Sequence, residues 1–187
     1  MQQMKISTRL IIMIGVLSAL LVAIGTIGLW GISKSNDDIR ALHDEALVSA
    51  LKADESIDLL VQNRLQVLLA FQHAPESPLA SIHNHPTTAH TDAIAANRVQ
   101  SDRIFNEMQA LETSPQELAM LESALKARLA WREKLDATVK AIASGDFSPA
   151  TMAFFLQAGR QEGEAAVKAL RAYRDYQVKM ANDGYTA

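Results

Sequence analysis

The feature that most constrains this chain is an uncharged, mostly apolar stretch from Leu10 to Trp30. A helix rises about 1.5 Å per residue, so this stretch reaches roughly 30 Å, the thickness of a bilayer's hydrocarbon core. Lys5 and Arg9 precede it, and positive flanks stay on the cytoplasmic side, so residues 1–9 read as a cytoplasmic N-terminus. Trp30 stands where an interfacial aromatic belongs. Residues 10–30 are thus expected to be a transmembrane helix, with residues 31–187 on the far side of the membrane. The rival is a cleaved signal peptide, whose apolar region runs about 7–15 residues before a small-residue cleavage site. This run is longer, and Leu29-Trp30-Gly31-Ile32 is a poor site, so an uncleaved anchor is the better reading.

Of 187 residues, those beyond the anchor suffice for one domain with its own core. Cysteine is absent, which excludes thiolate catalysis and cysteine-based zinc sites. The net charge is −3 and no run of lysines or arginines occurs, which argues against a nucleic-acid partner. Sparse aromatics with abundant alanine, leucine, glutamate and lysine favour helices over a sheet. No glycine-rich phosphate loop, nucleophile elbow or helical two-histidine zinc motif is present, so neither an enzyme nor a cofactor is expected.

Periodicity and caps predict four helices after the anchor, at about 35–73, 88–112, 115–144 and 149–187. Pro75, Pro78 and Pro86 mark the first connection. Ser114-Pro115-Gln116-Glu117 is a capping box with proline at the first helical position. Gly145 suits a left-handed helix end, and Ser148-Pro149 repeats the cap signal. Short connections make successive helices antiparallel. The expected fold is all-α: an N-terminal transmembrane helix followed by an up-down-up-down four-helix bundle. The last helix returns toward the membrane, where a second span is expected, so the chain reads as a fragment of a longer receptor or a curtailed one.

Several polar residues fall on wheel positions that belong to apolar ones. Ile57, Leu60, Val61, Leu68 and Phe71 share a face of the first helix, with Arg64 in its middle. Leu121, Leu125, Leu135, Val139 and Ile142 share a face of the third, with Arg128 and Arg132 inside it beside Trp131. On the second, Asn97 and Ser101 lie among Ile94, Phe105 and Met108, with Arg98 on the flank. On the fourth, Glu162 lies among Phe155, Ala166, Ala169 and Tyr173. A buried guanidinium needs a counter-charge and partners for its donors. An internal acid such as Glu162 or Asp136, a path to water, or an anion at a seam between subunits would each serve. With two candidate acids for three such arginines, an outside anion is expected. Its carboxylate would be gripped by the planar fork of arginine, and an aromatic acid would stack on Trp131.

His83, His85 and His90 lie close together around Pro86. Imidazoles in a cluster bind zinc or copper, but no cysteine and only Asp92 stands nearby, so turn and cap roles are favoured over a metal. His43 and His73 read as surface helix residues. Gly159 and Gly163, four apart in the last helix, point to close helix packing or local softness.

An N-terminus pointing inward, one span and a bundle returning to the membrane resemble the sensor region of methyl-accepting chemotaxis proteins. The local text agrees: Asn63-Arg64, then Leu68-Leu69-Ala70-Phe71-Gln72-His73 and Pro75-Glu76-Ser77-Pro78. His83-Asn84-His85-Pro86, His90 and Ala95-Ala96-Asn97-Arg98 resemble the same subgroup. The resemblance implies a homodimer in the bacterial inner membrane, a periplasmic sensor domain over residues 31–187, and ligand pockets at the dimer interface. It also implies a small shift of the fourth helix on binding, passed to a cytoplasmic signalling module that this sequence does not contain. The family's aspartate and serine receptors hold a carboxylate with three arginines of the first helix and a threonine at the start of the fourth. Arg64 matches the first arginine; the other two fall on Leu69 and His73, and the threonine near Ala158 or Gly159. Aspartate and serine are therefore not the expected ligands. The candidate ligand-binding residues are Arg64, Arg98, Arg128, Trp131, Arg132, Phe155 and Gln157, for a small organic acid such as a di- or tricarboxylate. The alternatives are a membrane-tethered adaptor bundle without a small ligand, and a metal sensor built on His83, His85 and His90.

Overall fold

One helix, α1 (Ile6–Phe71), carries the chain from the apolar stretch into the bundle without a break. The computed structural model describes the backbone of residues 6–111 and 114–186, and the side chains of these except at 6, 38, 40–43 and 184–186. His43 therefore lies outside the described side chains. At 66 residues α1 is about 100 Å long. Its segment Ser7–Asp37 is long and apolar enough to cross a membrane, and none of its most apolar window is buried. Leucines, isoleucines and valines exposed all round a helix require apolar surroundings from outside the chain.

Beyond the span, α1 is followed by a short 3₁₀ turn (Ala80–Ile82), α2 (Thr88–Leu111), α3 (Pro115–Ala143) and α4 (Pro149–Ala158). A π-helical turn (Gly159–Gly163) then leads into α5 (Glu164–Thr186). The fold is all-helical, with no strand among the described residues. Helix α1 packs on α2 and α5, and α3 packs on α2, α4 and α5. The connections after α1 and α3 meet at one end, where Phe71 and Phe147 make an edge-on ring contact at 6.1 Å.

The local signals act where the sequence puts them. Ser114 accepts from the Glu117 amide while the Glu117 side chain accepts from the Ser114 amide, so two orphan donors of α3 are satisfied. Ser148 caps α4 by accepting from Thr151. Gly145, at φ +83°, is the one described residue with positive φ.

Two differences from the wheel reading matter. The fourth helix is not a uniform α-helix, because the π turn interrupts it between Gly159 and Gly163. A Cβ on Gly159 would stand 3.3 Å from Arg64 Nη2, and one on Gly163 3.5 Å from the Trp131 ring. Gly159 thus admits a close neighbour, while a Cβ on Gly163 would make only ordinary contact, and the extra residue of a π turn re-aims the faces on either side of it. The second difference is on α1. Ile57, Leu60 and Phe71 are buried, but Val61 and Leu68 are exposed, and Arg64 is half-buried at the edge of the core face. The buried stripe runs instead through Ala53, Ser56, Asn63, Val67 and Ala70. Within that stripe Asn63 accepts from Asn97 Nδ2 at 2.9 Å, which gives its buried carbonyl oxygen a partner across the helices.

Candidate functional site

Facing turns of α2 and α3 bring Arg98, Arg128 and Arg132 together with two carboxylates. Arg128, only 5% exposed, donates to Asp102 Oδ1 and lies 4.5 Å from the centre of the Phe105 ring, a cation–π contact. Arg132 Nη1 donates to both Asp102 oxygens, at 3.0 and 3.1 Å. Arg98 pairs with Asp136. Three guanidiniums thus meet two carboxylates, and the excess is felt: burial and then Arg132 lower the Arg98 pKa, with Asp102 opposing them. The network corrects the expected supply of acids. Asp102 does most of the pairing, while Glu162 makes no ion pair among the described residues and leaves Oε2 buried without a hydrogen-bond partner.

The cavity among Leu60, Asn63, Arg98, Arg128, Trp131 and Arg132 measures about 20 Å³. That admits a water molecule and not a dicarboxylate. Trp131, 1% exposed, packs on Phe155 with ring centroids 5.7 Å apart. Its indole N–H has no hydrogen-bond partner among the described residues. Gln157 lies elsewhere, in a groove of about 180 Å³ shared with Lys134, Phe154 and Glu162. A larger groove of about 270 Å³ runs between α2 and α3, lined by Asp102, Phe105, Leu121, Leu125 and Arg128.

Arg64 differs from the other arginines. It is half-buried, its guanidinium lies against the backbone of Gly159 in the π turn, and it makes no ion pair or side-chain hydrogen bond among the described residues. One turn away on either side along α1, Val61 and Leu68 are exposed, and so is the adjacent Leu65. With Leu47 and Leu51, also exposed, they form a stripe spaced alternately three and four residues apart, interrupted by Asp54 and Asp58.

Four histidines converge at the end of the bundle where α1 stops. His73, read from sequence as a helix-surface residue, sits beyond the last turn of α1, half-buried, and joins His83, His85 and His90. Burial, then neighbouring imidazoles, lower the pKa of both His73 and His90.

The Asp102 pairing is directly testable. Burial acts to raise its pKa, but the hydrogen bond and charge of Arg128, followed by Arg132, outweigh it and hold it below the ordinary carboxylate range. A depressed carboxyl contributes stability that is fully present above its unfolded pKa and lost as pH falls through the folded one. Asp102→Asn should cost about 2 kcal/mol at pH 7. That is less than the full cost of stranding a buried charge, because the Asp102 side chain is 44% exposed. Urea denaturation should show the gap between parent and variant closing in acid, below the carboxylate range.

Among the described residues, a helical bundle with guanidiniums set into its faces follows one helix long and apolar enough to cross a membrane. The family model described as Tar ligand binding domain homologue (TarH) matches residues 1–181. The chain belongs to that family and is an N-terminal sensor region of chemotaxis receptors. No curated protein and no solved structure matches it.

Proposed function

We propose that this chain is the periplasmic sensor of an inner-membrane chemoreceptor, not an enzyme, that works as a homodimer and binds a small organic acid through Arg64 at the dimer interface. The observation that carries the reading is the half-buried guanidinium of Arg64, which has no counter-charge among the described residues and lies on the π turn. Arginine's fork matches a carboxylate with two parallel hydrogen bonds. The exposed stripe through Leu47, Leu51, Val61, Leu65 and Leu68 supports a second copy of α1 as its cover. A carboxylate drawn to Arg64 would press on Gly159, and so on the helix that leads through α5 back toward the membrane. Arg98, Arg128 and Arg132 are already largely neutralised by Asp102 and Asp136. Their part is to hold α2 to α3 and to add positive potential. Trp131 and Phe155 are the packing that fixes α3 against the fourth helix, and Gln157 is a flanking polar group.

Thermal melts of the full chain in detergent, against mono-, di- and tricarboxylates, test the proposal. A binding acid at a hundredfold excess over its Kd should raise Tm by about 5–10 °C. A panel without any shift, on a protein whose Leu65→Cys variant crosslinks as a disulfide-linked dimer under oxidation, would favour the adaptor bundle instead.

A further inference from the structure

The four histidines lie close enough together to share one ion. One ring nitrogen from each of His73, His83, His85 and His90 lies within 4.8 Å of all the others. His73 Nε2 and His90 Nε2 approach to 3.2 Å. Zinc–nitrogen bonds of about 2.0–2.1 Å place the corners of a tetrahedron roughly 3.3–3.4 Å apart, close to that separation.

Two glutamines set the ring tautomers. His90 Nδ1 stands 2.7 Å from Gln66 Oε1, an acceptor, so Nδ1 carries the proton and the Nε2 lone pair faces His73. His83 Nε2 stands 3.1 Å from Gln72 Oε1, which in the same way leaves Nδ1 as the free lone pair of that ring. Outer carbonyl oxygens that orient imidazoles in this manner are the usual second layer of a histidine metal site. The ligands come from three parts of the chain: the turn after α1, the connection, and the first turn of α2. Apart from this cluster, the connection is held by a few turn hydrogen bonds and the short 3₁₀ turn.

We propose that His73, His83, His85 and His90 form a binding site for a first-row divalent transition-metal ion, of which Zn²⁺ and Cu²⁺ suit an all-imidazole set best. Its place is the end of the bundle away from the span, where α1 ends, roughly 50 Å along that helix from Asp37. The bound ion would tie the connection around His83 and His85 to the turn that ends α1 and to the first turn of α2. The site is separate from Arg64 and does not depend on the carboxylate reading.

The test uses the full chain in detergent, carrying no polyhistidine tag and stripped with chelator. Zn²⁺ titration by calorimetry should saturate at one equivalent, and a hundredfold excess over Kd should raise Tm by about 5–10 °C. Cu²⁺ electron paramagnetic resonance should show hyperfine coupling to several imidazole nitrogens. H83A/H85A removes two ligands that lie outside the α-helices, so helical circular dichroism should stay unchanged while Zn²⁺ affinity falls at least 100-fold. Absence of saturable binding in the parent would overturn the proposal. So would a double variant that keeps parental affinity, or oxygen-dominated Cu²⁺ coordination.

Discussion

Trp131→Ala is expected to lower stability by about 3–5 kcal/mol, the range for emptying a large buried aromatic site. For a domain of this size the midpoint should fall by roughly 10 °C or more. Trp131 is the largest fully buried side chain. It packs on Phe155 of α4, and its ring edge lies where a Cβ on Gly163 would make ordinary contact at 3.5 Å. Through this one ring α3 grips both sides of the π turn. Neighbours cannot refill the space cheaply, because Arg128, beside it, is held in place by Asp102 and Phe105. Trp131→Phe separates packing from polarity. The indole N–H has no hydrogen-bond partner among the described residues, so its removal breaks no bond among them while only part of the volume is lost. The phenylalanine variant should therefore lose far less than the alanine one. A double-mutant cycle with Phe155→Leu should return a coupling of about 0.5–1.5 kcal/mol for the ring pair. Urea unfolding followed at 222 nm, with the denaturant slope unchanged, is the measurement. A loss below 1 kcal/mol for Trp131→Ala would show that this ring is not the keystone between α3 and the fourth helix.

The sequence carries the fold through local signals that do not need the third dimension. Ser114 with Glu117, Ser148 with Pro149, and Gly145 each act within one turn of chain, so their effect is readable in isolation. The pairing of charges is not local, and there the wheel misleads. Arg98 and Asp102 are one turn apart on α2, as are Arg128, Arg132 and Asp136 on α3. Laid antiparallel, one helix rising as the other descends, they match Arg98 to Asp136 and Asp102 to Arg132. That complementary order was legible, but only after the two helices were set side by side. A single wheel shows Arg128 as a charge on an apolar face and says nothing of Asp102 on the next helix. The histidines repeat the lesson. His73 lies just past the end of α1, seven residues after Gln66. It meets His83, His85 and His90 only because the connection folds back over the end of the helix, which no periodicity encodes. The π turn was half legible: the two glycines mark its limits, but the extra residue in the turn reflects packing against Arg64 and Trp131.

Arg64→Ala is expected to weaken binding of the organic acid proposed above by about 10–100-fold, since a hydrogen bond to a charged group is worth about 1.5–3 kcal/mol. The same change should alter unfolding little, because Arg64 makes no ion pair among the described residues and is only partly buried. That combination distinguishes it from Arg128, whose loss would strip Asp102 and Phe105 of a partner and show first as instability. Arg64→Lys keeps the charge but not the fork, so it should recover part of the affinity for a monocarboxylate and little of the geometric preference among diacids. Gly159→Ala probes the same contact from the other side. The new Cβ would come within 3.3 Å of Nη2, so the guanidinium would have to give by a few tenths of an ångström, without any change of charge. Affinity should then fall although Arg64 is intact. Calorimetry with the acid found in the melt screen reads all three variants on one scale. If Arg64→Ala and Gly159→Ala both bind as tightly as the parent, the acid sits elsewhere, and the groove lined by Phe105, Leu125 and Arg128 becomes the place to look. If both weaken, the π turn is mechanically in line with the ligand. Arg64 is then the residue through which an anion outside the bundle acts on the helix that runs back toward the membrane.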